Sequence, residues 1–286
     1  MFANQLKTVV LLALLTALLL FVGQLIGGYN GLVVAGIFAV IMNVGSYWFS
    51  DKIVLMMYRA KEVKESEAHK LYKIVREVAE EAKVPMPKVY IINMPSPNMF
   101  AAGRSPKHAA VAASSSILEL LNDGELKGVV AHEIAHIKNR DILISTIAGT
   151  IAGVISYIAT MAQWSAMFGG FGGRDRGNNS NIVSLLVLAI VTPIIASLIQ
   201  LAISRSREYI ADASGARILR DSSGLASALE KIESAVKHHP LIATPTSDAT
   251  AHLFFINPFR SGSFIRLFMT HPDTSIRVQK LKAMKF

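Results

Sequence analysis

Three stretches of this 286-residue chain carry no Asp, Glu, Lys or Arg: residues 8–50, 142–173 and 182–204. A helix needs roughly 20 consecutive apolar residues to cross the hydrocarbon core of a bilayer. Val9–Gly27 and Leu32–Phe49 meet that requirement on either side of a short Gly-rich turn, which predicts a tight helical hairpin. Ile142–Phe168 and Ile182–Ile203 predict a second pair, joined by the Gly/Asn-rich stretch Gly169–Asn181. The first run is too long for a signal peptide, its basic flank is weak and no small-residue cleavage site follows it. It is therefore expected to stay in the mature protein. The expected architecture is a mainly α, polytopic membrane protein with four transmembrane helices.

Composition agrees. The chain is 52% apolar and only 17% charged, with a mean hydropathy of +0.42. That is too apolar for disorder, and there is no collagen-like glycine period. The absence of Cys excludes disulfide scaffolds, thiolate catalysis, Cys-ligated zinc and iron–sulfur clusters. A net charge of +9 raises nucleic acid as a partner. In a membrane protein it is explained more simply by loops on the cytoplasmic side, and no nucleic-acid partner is expected.

The basic residues also orient the chain. Of 29 Lys and Arg, 14 lie in residues 51–141 and 12 in 205–286, against one before the first span and two, Arg174 and Arg176, in the 169–181 loop. Four spans then place both termini and both polar segments on one side, expected to be the cytoplasm. The chain divides into a helical hairpin (1–50), a polar segment (51–141), a second transmembrane pair (142–204) and a second polar segment (205–286). A transporter would carry ionisable groups within its spans. The notable polar residues there are Asn43 and Gln200, neither ionisable.

In the first polar segment, residues 60–83 show helical spacing of Val63, Leu71, Ile74, Val75, Val78 and Ala82, ended by Pro85 and Pro87. Lys88–Asn93 and His108–Ala113 read as strands, with a short strand possible over Asn98–Gly103, so a small sheet is expected on helices. Asn122 and Asp123 offer caps for a helix starting near Gly124, with Glu125 in its first turn.

That helix contains His132-Glu133-Ile134-Ala135-His136. Residues four apart share a helical face, so two imidazoles can grip one ion, and Glu133 can reach a water bound to it. Zinc suits such a set, because it takes imidazole nitrogen and keeps an open position for a water whose pKa falls to about 7. A third ligand is required, and Glu208 is the best candidate. His136 precedes the third span by six residues, about 9 Å of helix, and Glu208 follows the fourth by five, about 7.5 Å. Antiparallel neighbouring spans put the two half-sites at nearly the same height. Asp212, four residues on, lies on the face of Glu208 and can accept the free N–H of a ligand histidine. The competing reading makes Glu208 and Asp212 surface acids flanked by Arg205 and Arg207. His69, His108, His238, His239 and His252 are expected to be solvated or structural.

Together these residues resemble the HtpX family of membrane zinc metallopeptidases, related to the CAAX prenyl protease of the endoplasmic reticulum. The resemblance runs from the two early spans through His132–His136 to Arg207-Glu208-Tyr209-Ile210-Ala211-Asp212. It implies a zincin-like α+β catalytic domain with a small sheet, one Zn2+ per chain held by His132, His136 and Glu208, and Glu133 as general base. It also picks out His271-Pro272 and Arg277, which match the family's H-P-x-x-x-x-R and would contact substrate or stabilise the oxyanion. By sequence pattern alone, Pro272–Met284 is an amphipathic helix with Pro in its first turn. Asn98-Met99-Phe100-Ala101 resembles the family's Asn-Ala-Phe segment, an edge strand to which substrate can add. Met99 replaces the usual small residue.

The expected activity is a zinc metalloendopeptidase at the cytoplasmic face of the cell membrane. The resemblance implies misfolded or damaged membrane proteins as substrates, in protein quality control and stress response. The alternatives are a scaffold with a structural metal, a CAAX-type processing protease, and an intramembrane site-2 type protease. The last is disfavoured by Lys127, Lys138, Asn139, Arg140 and Asp141 around the motif, which place it in water.

Overall fold

The computed structural model describes residues 2–151, 205–238, 253–256 and 272–286. The expected second transmembrane pair beyond Ile151 with its 169–181 loop, and His239, His252 and His271, lie outside them. The described residues are mostly helical with one small mixed sheet.

Helix α1 (Phe2–Met57) is two helices meeting at Gly28, whose φ of 55° and ψ of −139° break the helical path. A positive φ costs glycine little, so the reversal falls there. The arms then pack side by side: Asn43 Nδ2 donates to Thr16 Oγ1 at 2.8 Å, 27 residues away in sequence. This is the hairpin read from the apolar runs, and it gives Asn43 a structural use. Gly27–Met57 is long and apolar enough to cross a membrane, with 11% of its most apolar window buried, whereas Thr8–Gln24 is a shorter apolar helix.

Lys61–Glu62 (β1) pairs with β2 (Lys88–Ile92), and the sheet is completed by β3 (Met99–Ser105) and β4 (His108–Ser114) in the order β1-β2-β4-β3. The β2–β4 pair is parallel and the other two are antiparallel. Helix α2 (His69–Ala82) begins later than the spacing predicts. Val63, counted on its apolar face, instead donates its N–H to Val89 O beside the sheet, and Lys64 to Glu67 closes a turn. Sheet pairing has overridden local periodicity.

Strands β3 and β4 are buried on both faces, and their alternation sorts two clusters. Met99, Ala101, Val111 and Ala113 face the main core with Val75, Val78, Val129 and Ile134. Phe100, Ala102, Ala110 and Ala112 face Val54 and Leu55 at the end of α1. The alanine-rich β4 lets both layers approach closely.

After α3 (Ser115–Leu120), helix α4 (Asp123–Asn139) starts with a capping box: Asn122 accepts from Glu125 N–H, and the Glu125 carboxylate accepts from Asn122 N–H. This borders on the predicted start and fixes the phase of the histidines. Helix α5 (Ile142–Ile151) follows after two residues, and Ile144, Ile147 and Ile151 pack on Leu11 and Leu15 of α1. Helices α6 (Arg205–Leu219) and α7 (Ser223–His238) flank α4, and α8 (Thr274–Lys282) closes the core through Val278 and Leu281. Asp273 caps α8, so Pro272 stands just before the helix rather than in its first turn.

Candidate metal centre

The contact between α4 and α6 builds the site. A side chain at Gly215 on α6 would sit 2.9 Å from the His132 backbone nitrogen, so glycine lets the helices touch beside the motif. On α4, beside this contact, His132 Nε2 and His136 Nε2 lie 3.1 Å apart. Glu208 reaches His132 Nε2 at 3.6 Å and His136 Nε2 at 3.7 Å. One donor atom from each of the three lies within 4.8 Å of the others. Two imidazole nitrogens and one carboxylate oxygen fit a divalent ion that accepts both. Glu208 and Asp212 are 7% and 4% exposed, which removes the reading of them as surface acids.

The far side of each imidazole meets a carboxylate. His132 Nδ1 lies 2.9 Å from Asp212 Oδ1. His136 Nδ1 lies 3.1 and 3.2 Å from the two oxygens of Asp141. Asp212 was anticipated from its spacing to Glu208; Asp141 was read only as a flanking charge. Asp212 in turn takes two bonds from Arg277, Nε at 2.8 Å and Nη2 at 2.7 Å. Arg277 is 1% exposed, its Nη1 reaches Phe255 O at 3.5 Å, and it does not line the cleft.

Phe255, not anticipated, stacks edge-on against His132 with ring centres 5.0 Å apart and lies under the Arg277 guanidinium. Its backbone N–H donates to Asn98 Oδ1 at 2.8 Å. Asn98 is thus committed to holding the cleft wall, with its own N–H on Ser114 Oγ. The hint in sequence was the apolar loop Leu253–Phe259 that follows His252.

β3 is the edge strand beside the cleft, as the Asn98–Ala101 resemblance implies. Two of its outward N–H groups are engaged: Ala101 donates to Glu133 Oε2 at 2.7 Å and Gly103 to Thr146 Oγ1 at 3.1 Å. His69, His108 and His238 are exposed, as expected.

Electrostatics follow from burial and the carboxylates. Burial pushes the Glu133 carboxyl above its ordinary value, against the pull of both histidines. Burial pulls the His136 pKa down, but Asp141, Glu208 and Glu133 outweigh it and raise it to about 10. His132 is raised likewise, burial being overcome by Asp212 and Glu208. For Asp212, Arg277 and His132 outweigh burial and hold the carboxyl low.

The sequence of residues 65–285 matches the model of peptidase family M48. A protein from Desulforapulum autotrophicum, described as Protease HtpX homolog, is 49% identical over 98% of this chain and 89% of its own length. The chain belongs to peptidase family M48. An HtpX homolog from Desulfatibacillum aliphaticivorans is 53% identical over 97% of this chain and 89% of its own, and one from Pyrococcus furiosus 51% identical over 96% and 94%. The HtpX resemblance therefore holds over nearly the whole length, and this M48 member is a metalloendopeptidase. The crystal structure of S. mikatae Ste24p is similar at 16% identity and a TM-score of 0.49, over 98% of this chain and 66% of that one.

Proposed function

We propose that this M48 member is a multi-pass membrane zinc endopeptidase, with its site and both termini on the cytoplasmic side, acting on misfolded or damaged membrane proteins. The observation that carries the catalytic part is the convergence of His132, His136 and Glu208 donor atoms within 4.8 Å, with Glu133 on the next helical position. A structural metal would have no use for Glu133, which disfavours the scaffold reading.

In this reading His132, His136 and Glu208 would hold Zn2+. Zinc, when bound, supplies Lewis acidity toward the water and the scissile carbonyl. Glu133 takes a proton from the attacking water and hands it to the leaving amine. Its raised pKa suits that exchange, because a base works best near the ambient pH. A substrate adding to β3 replaces Glu133 on the Ala101 N–H, which releases the base as the chain is bound. Met99, Phe100 and Ala101 would line the strand. Asn98 contributes by fixing the Phe255 wall. Arg277 acts behind the cleft by holding Asp212, and thereby His132. His271, by the resemblance, would contact substrate or stabilise the oxyanion.

The substrate class rests on the resemblance and on the apolar hairpin, which keeps the cleft near the bilayer. Reconstitution tests it: the protease is placed in liposomes with a membrane protein bearing an unfolded cytoplasmic loop, or with the same loop as a soluble peptide. Faster, chelator-sensitive cleavage of the membrane-borne loop is expected. Equal rates on both would remove the membrane-substrate assignment.

A further inference from the structure

We propose that Asp141 is the positioning residue for His136, so that the junction between α4 and α5 sets the geometry of the metal group. This rests on the metallopeptidase reading above. A ligand imidazole must present one nitrogen to the ion, and the hydrogen bond made by its other nitrogen fixes tautomer and ring angle. His136 turns Nε2 toward His132 and Glu208, and its Nδ1 lies 3.1 and 3.2 Å from the Asp141 oxygens.

The backbone explains how an aspartate five residues on reaches back. Arg140 adopts a left-handed conformation, φ 57°, and ends α4. Asp141 then donates its N–H to His136 O at 3.3 Å, which folds its carboxylate under the imidazole. Asp141 is 4% exposed, so this contact is not shared with bulk water. His132 and His136 are therefore buttressed from different places, one from α6 by Asp212 and the other from the start of α5. Because α5 packs on α1, the orientation of His136 is tied to an apolar helix pair.

The test compares zinc affinity, by competition with a chromophoric chelator, in the full-length protein and in Asp141→Ala, Asp141→Asn and His136→Ala. Loss of such a buttress weakens metal binding about 10–100-fold, the range expected for Asp141→Ala. Asp141→Asn keeps the size of the side chain and an acceptor oxygen for the His136 N–H, while removing the negative charge beside it. Asp141→Ala should also shift the visible spectrum of the cobalt-substituted protein, and Asp141→Asn should fall between it and wild type in both readouts, because its remaining oxygen still orients the ring. Wild-type zinc affinity and cobalt spectrum in Asp141→Ala, with His136→Ala still losing the metal, would overturn the positioning role and leave the zinc reading intact. Equal affinity in wild type and His136→Ala would instead overturn the zinc reading itself.

Discussion

Replacing Arg277 with Met should unfold the site more than it empties it. Arg277 is 1% exposed and holds Asp212 by two bonds of 2.7 and 2.8 Å, with Glu208 Oε2 3.8 Å from Nη1. Removing one partner of a buried ion pair leaves an uncompensated charge and costs about 3–5 kcal/mol. Two carboxylates share this guanidinium, so the upper half of that range is expected. Met fills most of the volume, which keeps the cavity contribution small. Most of the loss is then the buried Asp212 charge left with His132 alone beside it, and Asp212→Asn in the Arg277→Met background should recover about 1–3 kcal/mol. Recovery stays partial, because Glu208 also loses the guanidinium that lay 3.8 Å from its Oε2. Urea unfolding in detergent, followed by circular dichroism, gives all four corners of the cycle. Losses that simply add would refute the claim that the pair, rather than packing, makes Arg277 important.

Gly215→Val should push α6 away from α4, since its side chain would meet the His132 backbone, and zinc affinity by chelator competition should fall at least tenfold; unchanged affinity would mean that the helices give way without moving Glu208. Metal binding should weaken in acid. The His136 pKa is raised to about 10, so its proton is present at neutral pH and must leave as the ion binds. Apparent affinity should therefore rise about tenfold per pH unit from pH 6 to 8 for that one proton, and a flat profile would contradict it. Asn98→Ala leaves the buried Phe255 N–H without its acceptor and should cost about 1–3 kcal/mol in urea unfolding. A neutral result there would return Asn98 to a role in substrate contact alone.

Much of the site was legible because its chemistry is local. His132, Glu133 and His136 are fixed by one helix, and Asn122 and Glu125 announce where that helix starts. Glu208 was reachable through the depth argument, and Asp212 through its spacing from Glu208. Asp141 was missed because its contact depends on the left-handed turn at Arg140, which no apolar pattern encodes. Phe255 and the clamp by Asn98 join residues 157 positions apart, so neither could be paired from sequence. The early part of α2 was misassigned because Val63 fits a helical stripe yet finds its partner across the sheet.

The most direct test of the central claim compares wild type with Glu133→Gln, each stripped by chelator, reloaded with zinc and mixed with an unfolded protein substrate. Gln keeps the shape of Glu133 but cannot take a proton. The expected result is equal zinc content with cleavage reduced about 10²–10⁴-fold in the variant. Equal cleavage by both proteins, at equal zinc, would contradict Glu133 as the general base and the mechanism built on it.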